Sequence, residues 1–318
     1  MAKNTVQKTA SAEVRSIAKE PTSLISNQKL REIHAVMLKC RILGRRAESL
    51  FQEIRIAGDV HPSAGREGLA VAFVIDLRLE DLLSSSPGDW MSGFVKGAPI
   101  ETIFQALAAS APDVAPLTAQ DALTRWNILG PSATVREQLK RVCTAAGAMR
   151  ESQDGRIAMA FFGDPSEARD PSREAIESAG NRKLPIVFIQ QGCSDPPTAT
   201  PKRARITAED ATICGVPVMV VDGNDAVALY RVACEAIARA RQGRGPTLVE
   251  SFSTDCSVSA APDAACIYKG NENRPRRDPI LTMESYLRSK LLFSEKMREQ
   301  LIAEFSRELD SAIRFVSG

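Results

Sequence analysis

Histidine is almost missing from this chain: among 318 residues there are two, His34 and His61. That scarcity excludes a histidine-rich metal centre, and any proton relay has to be built from other groups. No sign of charge dominates either. Lysine plus arginine number 41 and aspartate plus glutamate 39, for a formal charge of +2. Total charge therefore gives no case for a nucleic acid or an acidic membrane as partner. No uninterrupted apolar run approaches the roughly 18 residues of a membrane span, and the N-terminus has no apolar core suited to a signal peptide. The seven cysteines are odd in number, widely spread and without a C-x-x-C pair. Such usage reads as reduced thiols and places the chain in the cytoplasm. What is present is ordinary for a globular protein, with 44% hydrophobic and 25% charged residues in a chain long enough to bury a sizeable core.

Residues 1–27 are polar and without a sustained period, which predicts a poorly ordered N-terminal arm before a single domain over 28–318. From Lys29 the apolar residues Leu30, Ile33, Met37, Cys40, Ala47, Leu50, Phe51 and Ile54 recur at helical spacing. His34 falls on the polar face of that long helix. A second, more buried helix carries Leu69, Ala70, Phe73 and Val74, with Ser63 as its candidate cap. The stretch from Glu80 to Asn127 is rich in proline and glycine and reads as surface loops with a short helix near 100–109. A helix over about 135–150 follows. Four short apolar runs, 157–162, 184–190, 217–222 and 247–252, then alternate with helical patterns, the clearest at 225–241. Alternation of this kind implies an α/β fold with a doubly wound, mostly parallel sheet and helices on both faces, closed by an amphipathic C-terminal helix over 294–315.

Seven segments carry a family resemblance in order: HPSAGREGLAVA (61–72), NILGPSATVREQLKRVCTAAGA (127–148), AMAFFGDPSE (158–167), KLPIVFIQ (183–190), GVPVMVVDGNDAVALY (215–230), GRGPTLVES (243–251) and DPILTMESYL (278–287). Together they resemble the alpha subunit of the thiamine-diphosphate-dependent first component of 2-oxo acid dehydrogenases, the pyruvate, branched-chain and acetoin type. The resemblance implies a thiamine-diphosphate-binding fold that holds the cofactor's diphosphate and a magnesium ion. It also implies a beta subunit completing the site in a two-alpha, two-beta assembly; a homodimer is the other expected form.

Carried over residue by residue, the implied site is altered. The family's metal signature opens with Gly-Asp-Gly and closes with Asn-Asn; here the matching positions are Gly163-Asp164-Pro165, followed by Ser166, and Gly192-Cys193. Asp164 remains a hard oxygen ligand, whereas the sulfur of Cys193 is soft and magnesium prefers oxygen. Pro165 has no N–H to give to a phosphate and stiffens the turn. The family's Gly-Ile-Val-Gly-Ala-Gln approach aligns with Ala133-Thr134-Val135-Arg136-Glu137-Gln138, which puts larger and charged side chains where backbone should approach the ligand. Ser259 stands at the position of the family histidine, Asp255 replaces an arginine, and SSSPGDWMSGFVKG (84–97) contains neither histidine nor arginine.

Each of these residues has a plainer reading. Asp164 suits a turn or a helix cap, Cys193 a small inert filler, and His61 a structural hydrogen bond. Gly223-Asn224-Asp225 is explained by turn and cap needs, Arg274, Arg276 and Arg277 by a solvated loop, and Glu67 by local hydrogen bonding. Three functions follow as expectations: a catalytically impaired alpha-like scaffold or regulatory subunit, an active subunit completed by its beta partner, or a binder of another small anion through Arg136 or Lys140.

Overall fold

The computed structural model describes residues 25–54, 65–85, 89–108, 123–130, 132, 134–163, 165–192, 212–213, 215–252 and 278–317. The helices are α1 (Asn27–Ile54), α2 (Glu67–Val74), α3 (Met91–Val95), α4 (Ile100–Ala108), α5 (Val135–Ser152), α6 (Pro165–Asn181), α7 (Ala226–Arg241), α8 (Pro279–Ser289) and α9 (Glu295–Ser317). The strands are β1 (Leu82–Ser84), β2 (Ile128–Leu129), β3 (Ala158–Phe162), β4 (Ile186–Gly192), β5 (Thr212–Ile213), β6 (Val216–Asp222) and β7 (Thr247–Phe252).

They form one seven-stranded sheet in the order β2-β1-β3-β4-β7-β6-β5, parallel throughout except for β5, which pairs antiparallel with β6 at the edge. Strand residues alternate strictly between two cores. Met159, Phe161, Val187, Ile189, Val221 and Val249 face one apolar cluster with residues of α1, α2, α7, α8 and α9. Ala158, Ala160, Phe162, Ile186, Phe188 and Leu248 face the other, with residues of α5 and α6. Because both faces are covered, the strands read as continuous apolar runs, and this made β3, β4, β6 and β7 visible in the sequence. Among the described residues no helix is long and apolar enough to cross a membrane.

Three expectations are corrected. The segment expected to be surface loops supplies β1, which sits between β2 and β3 inside the sheet. Two of its charged residues, Asp81 and Lys96, are not solvated. Asp81 is fully buried; it accepts hydrogen bonds from the backbone N–H of Ile157 at 3.0 Å and of Arg78 at 2.7 Å, and a forked pair from Arg241 at 3.0 and 2.6 Å. Lys96 is buried as well and donates to the carbonyls of Leu79 and Trp126, while burial pulls its ammonium down to about 8. Helix α2 begins at Glu67 with Arg66 rather than a serine at the cap position, and Ser63 lies outside the described residues. His34 is buried rather than on a polar face, its Nε2 lying 3.3 Å from Glu284 Oε1, which also accepts from Arg298 Nε at 2.8 Å. Residues 1–24 and His61 lie outside the described residues.

Two outcomes follow. Removing the Asp81 carboxylate strands the Arg241 guanidinium in a poorly solvated site, so Asp81→Ala lowers the unfolding free energy by about 3–5 kcal/mol in a urea titration. Burial holds the His34 imidazole below its ordinary value of 6.5 against the upward pull of Glu284. The unfolded chain therefore binds this proton more readily, and the contribution of His34 is complete above pH 6.5 and declines as the pH falls below it. In Tm measurements from about pH 8 to about pH 5.5, His34→Gln flattens this acid-side decline.

Candidate functional site

In a doubly wound sheet, ligands bind at the carboxyl ends of the strands, where neighbouring strands send their chains in opposite directions. Here that point lies between β1, whose chain leads outward to β2, and β3, whose chain leads to β4 on the other side. Gly163 leaves β3 at this edge, and among the described residues nothing lies within 4 Å of a Cβ built on it. Helix α6 starts two residues later at Pro165, with Ser166 second and Glu167 third. Proline is well suited to the first helical position, where its fixed φ is already helical and its missing N–H is not needed within the helix. For an anion at the helix end the same residue is a missing donor.

Helix α5 presents its start to the same edge. Thr134 is its cap, with Oγ1 accepting from the Glu137 N–H at 3.2 Å. Thr134-Val135-Arg136-Glu137 matches the Ser/Thr-x-x-Glu pattern of helix starts. The residues that stand where the resemblance implies small ones thus build a conventional helix terminus. Arg136 donates to Glu174 on α6 at 2.9 Å, and both side chains are exposed. That pair neutralises the guanidinium and links the two helices flanking the crevice.

Gln138 closes the crevice floor. Its amide is buried and lies within hydrogen-bond distance of Ser84 Oγ at 3.0 Å, Ser85 O at 3.3 Å and Phe161 O at 2.8 Å. One side chain therefore joins α5, the end of β1 and the end of β3. Its position in the sequence gave no sign of this, because the three acceptors lie 23 to 54 residues away. Asp89 was missed as well. It follows β1, accepts from Ser92 N–H at 3.3 Å and Oγ at 2.7 Å, and burial pushes its carboxyl upward.

Further along the same edge, the β6–α7 turn holds Gly223, whose N–H donates to Phe252 O at 2.7 Å. A Cβ there would lie 2.8 Å from Ser251 Oγ and 3.0 Å from Phe252 O, so β6 and β7 approach too closely for any other residue. Asp225 caps α7 by accepting from Val227 and Ala228 N–H at 3.0 and 2.9 Å. Glu67 opens α2 and is bound by Arg41, which also grips Asp278 at the start of α8 at 2.9 and 3.1 Å. The Arg41 charge and the Ile280 and Leu281 amides hold the Asp278 carboxyl below its ordinary value despite partial burial.

Structure brings Gly163, Pro165, Ser166, Val135 and Arg136 to one edge of the sheet. Ala133, Asp164, Cys193, Asp255, Ser259 and the arginines 274, 276 and 277 lie outside the described residues. Among the described residues no cluster of three or more histidine, cysteine, aspartate or glutamate side chains could hold a metal ion.

A family model described as "Dehydrogenase E1 component" matches residues 34–317. The chain belongs to the dehydrogenase E1 component family. Curated relatives in it include proteins named "Pyruvate dehydrogenase E1 component subunit alpha" from Bacillus subtilis (strain 168), 26% identical over 297 residues, and from Bacillus cereus, 27% identical over 296 residues. A third, from Staphylococcus epidermidis (strain ATCC 12228 / FDA PCI 1200), is 25% identical over 297 residues. Each alignment covers 91% of this chain and 78% of the relative. The seven-stranded sheet and the flanking helices are those of an E1 alpha-like protein.

The three acceptors around Gln138 set a checkable cost. Gln138→Ala takes this donor from the buried Phe161 carbonyl of β3 and the buried Ser84 hydroxyl of β1, and lowers stability by about 1–3 kcal/mol in urea unfolding. In the same assay Arg136→Ala, which loses only an exposed pair, shifts stability by less than about 1 kcal/mol.

Proposed function

We propose that this E1 alpha-like chain is catalytically impaired and serves as a scaffold or regulatory subunit of a beta-like chain. The observation that carries this reading is the turn from β3 into α6. A diphosphate held there would be held by the first-turn N–H groups of α6, yet the first residue is Pro165, which has none. The donor set for magnesium is also poor, because Asp164 supplies oxygen and the second position offers the sulfur of Cys193. Around the same crevice, the charged residues of α5 complete a helix cap and an ion pair with α6. These residues do not fit thiamine diphosphate with magnesium, and no chemical step is derived through the cofactor. The name "subunit alpha" of the relatives supports association with a beta-like partner. On this reading the assembly is two-alpha, two-beta and cytoplasmic, with residues 28–318 acting as one unit.

The second reading is an active subunit completed by its beta partner, and one observation favours it: the open space beside Gly163 leaves room for a ligand at the strand end. A thermal-shift titration separates the two. With thiamine diphosphate and magnesium at about 100 times the dissociation constant expected of a working site, a binder gains about 2.7 kcal/mol of stability and its Tm rises by several degrees. The impaired reading requires no rise, both for the chain alone and for its complex with a co-expressed beta-like subunit. A clear rise in either preparation overturns it.

A further inference from the structure

Because six strands run parallel, the loops that feed them all emerge at the edge opposite the candidate site. Each loop feeding the five adjacent strands β2, β1, β3, β4 and β7 carries a cation: Arg125, Arg78, Arg156, the pair Arg182 and Lys183, and Arg244 in turn. Arg156 is half-buried and is bound to Asp154 at 2.7 Å. The other five are exposed, and none forms an ion pair among the described residues.

The acids of these loops do not balance them. Asp81 is buried and satisfied by Arg241 and two backbone N–H groups, and Asp154 holds Arg156. Asp76 is exposed but bound by Lys29 at 2.9 Å, which leaves Glu80 as the one exposed acid of these loops without an ion pair among the described residues. Neighbouring loops touch: Arg78 reaches 4.0 Å from a Cβ built on Gly155, and Lys183 packs 3.5 Å from one built on Gly245. The cations therefore line one edge in a row, with Arg182 laid back against Gly147 of α5. Strands lie about 4.8 Å apart, so a row across five of them spans about 19 Å, the reach of some six residues of extended chain.

We propose that this edge is a docking surface for an extended acidic segment of another protein, read by Arg125, Arg78, Arg182, Lys183 and Arg244. Complementarity of charge selects the occupant. A polypeptide is favoured over a nucleic acid because Leu79, 52% exposed, stands in the row beside Arg78 and invites an apolar side chain. The one aromatic ring of these loops, Trp126, is half-buried against Gly97 rather than displayed for base stacking. The sheet edge that carries the row is independent of whether a cofactor binds at the other one.

The test uses the full chain and a fluorescein-labelled eight-residue peptide of alternating glutamate and aspartate, followed by fluorescence anisotropy. The peptide binds, and raising sodium chloride from about 50 mM to about 300 mM weakens it at least roughly tenfold. The combined substitution Arg78→Ala, Arg182→Ala, Lys183→Ala and Arg244→Ala weakens binding by about tenfold or more, whereas Lys296→Ala on α9 leaves it unchanged. Unaltered Tm and circular dichroism of both variants show that the fold is kept. Equal binding by the quadruple variant and the unmodified chain overturns the proposal, as does an equal loss with Lys296→Ala. Tighter binding of a single-stranded oligonucleotide of equal charge, lost in the quadruple variant, also overturns it and assigns the row to nucleic acid.

Discussion

Parallel strands cannot be joined by tight hairpins, so β1, β2, β3, β4 and β7 are each reached through a crossover that returns the chain to the same starting edge, where β5 also turns tightly into β6. Two unlike edges result. Strands exit at one, where the starts of α5, α6 and α7 gather; they enter at the other, through short loops. The location of every functional feature follows from that division. Gly163, Pro165 and Arg136 meet although up to 29 residues separate them, because strand β3 delivers two of them and α5 the third to one edge. Sequence neighbours such as Lys183 and Ile189 are by the same rule kept apart, at the entry of β4 and in its buried interior.

What fixes the helices on this sheet is buried charge as well as apolar packing. Asp81 ties the end of α7 to the entries of β1 and β3, and Arg41 ties α1 to the starts of α2 and α8 through Glu67 and Asp278. Both groups are forked arginine pairs, whose planar geometry accepts only one orientation of the partner. Hydrophobic contact alone would tolerate sliding of a helix along the sheet. A paired carboxylate would not, because a small displacement leaves a charge without its partner in a poorly solvated place.

The parts of the fold legible in the sequence are those whose reasons are local. Strands β3, β4, β6 and β7 are continuous apolar runs, and α7 begins at Asp225 as its capping chemistry requires. Strand β1 was missed because three residues following Glu80-Asp81 look like a charged loop until Arg241, 160 residues away, accounts for the carboxylate. His34 looked solvated for the same reason, its partner Glu284 being 250 residues distant. At the candidate site, Gln138 was legible as part of a family segment, but its bonding to β1 and β3 was not. Thr134-x-x-Glu137 did carry a local signal, a helix cap, which the family alignment obscured by drawing attention to the glycines it replaces.

That cap bears on the reading of the exit edge proposed above. Small residues at a helix start leave N–H groups bare, which a bound diphosphate can satisfy and water satisfies less firmly. Here side chains have taken that role: Thr134 accepts from Glu137, Asp225 from Val227 and Ala228, and Glu174 receives Arg136. Each exchange stabilises the chain by itself and weakens the case for a ligand at the exit edge, the usual opposition between local stability and a site kept open for binding. The entry edge has the reverse character. Its cations lack such internal partners, and a formal charge of only +2 hides them because acids elsewhere cancel the sum. On the reading proposed above, the molecule satisfies itself where its family binds a cofactor and stays electrostatically unsatisfied where a partner protein can reach it.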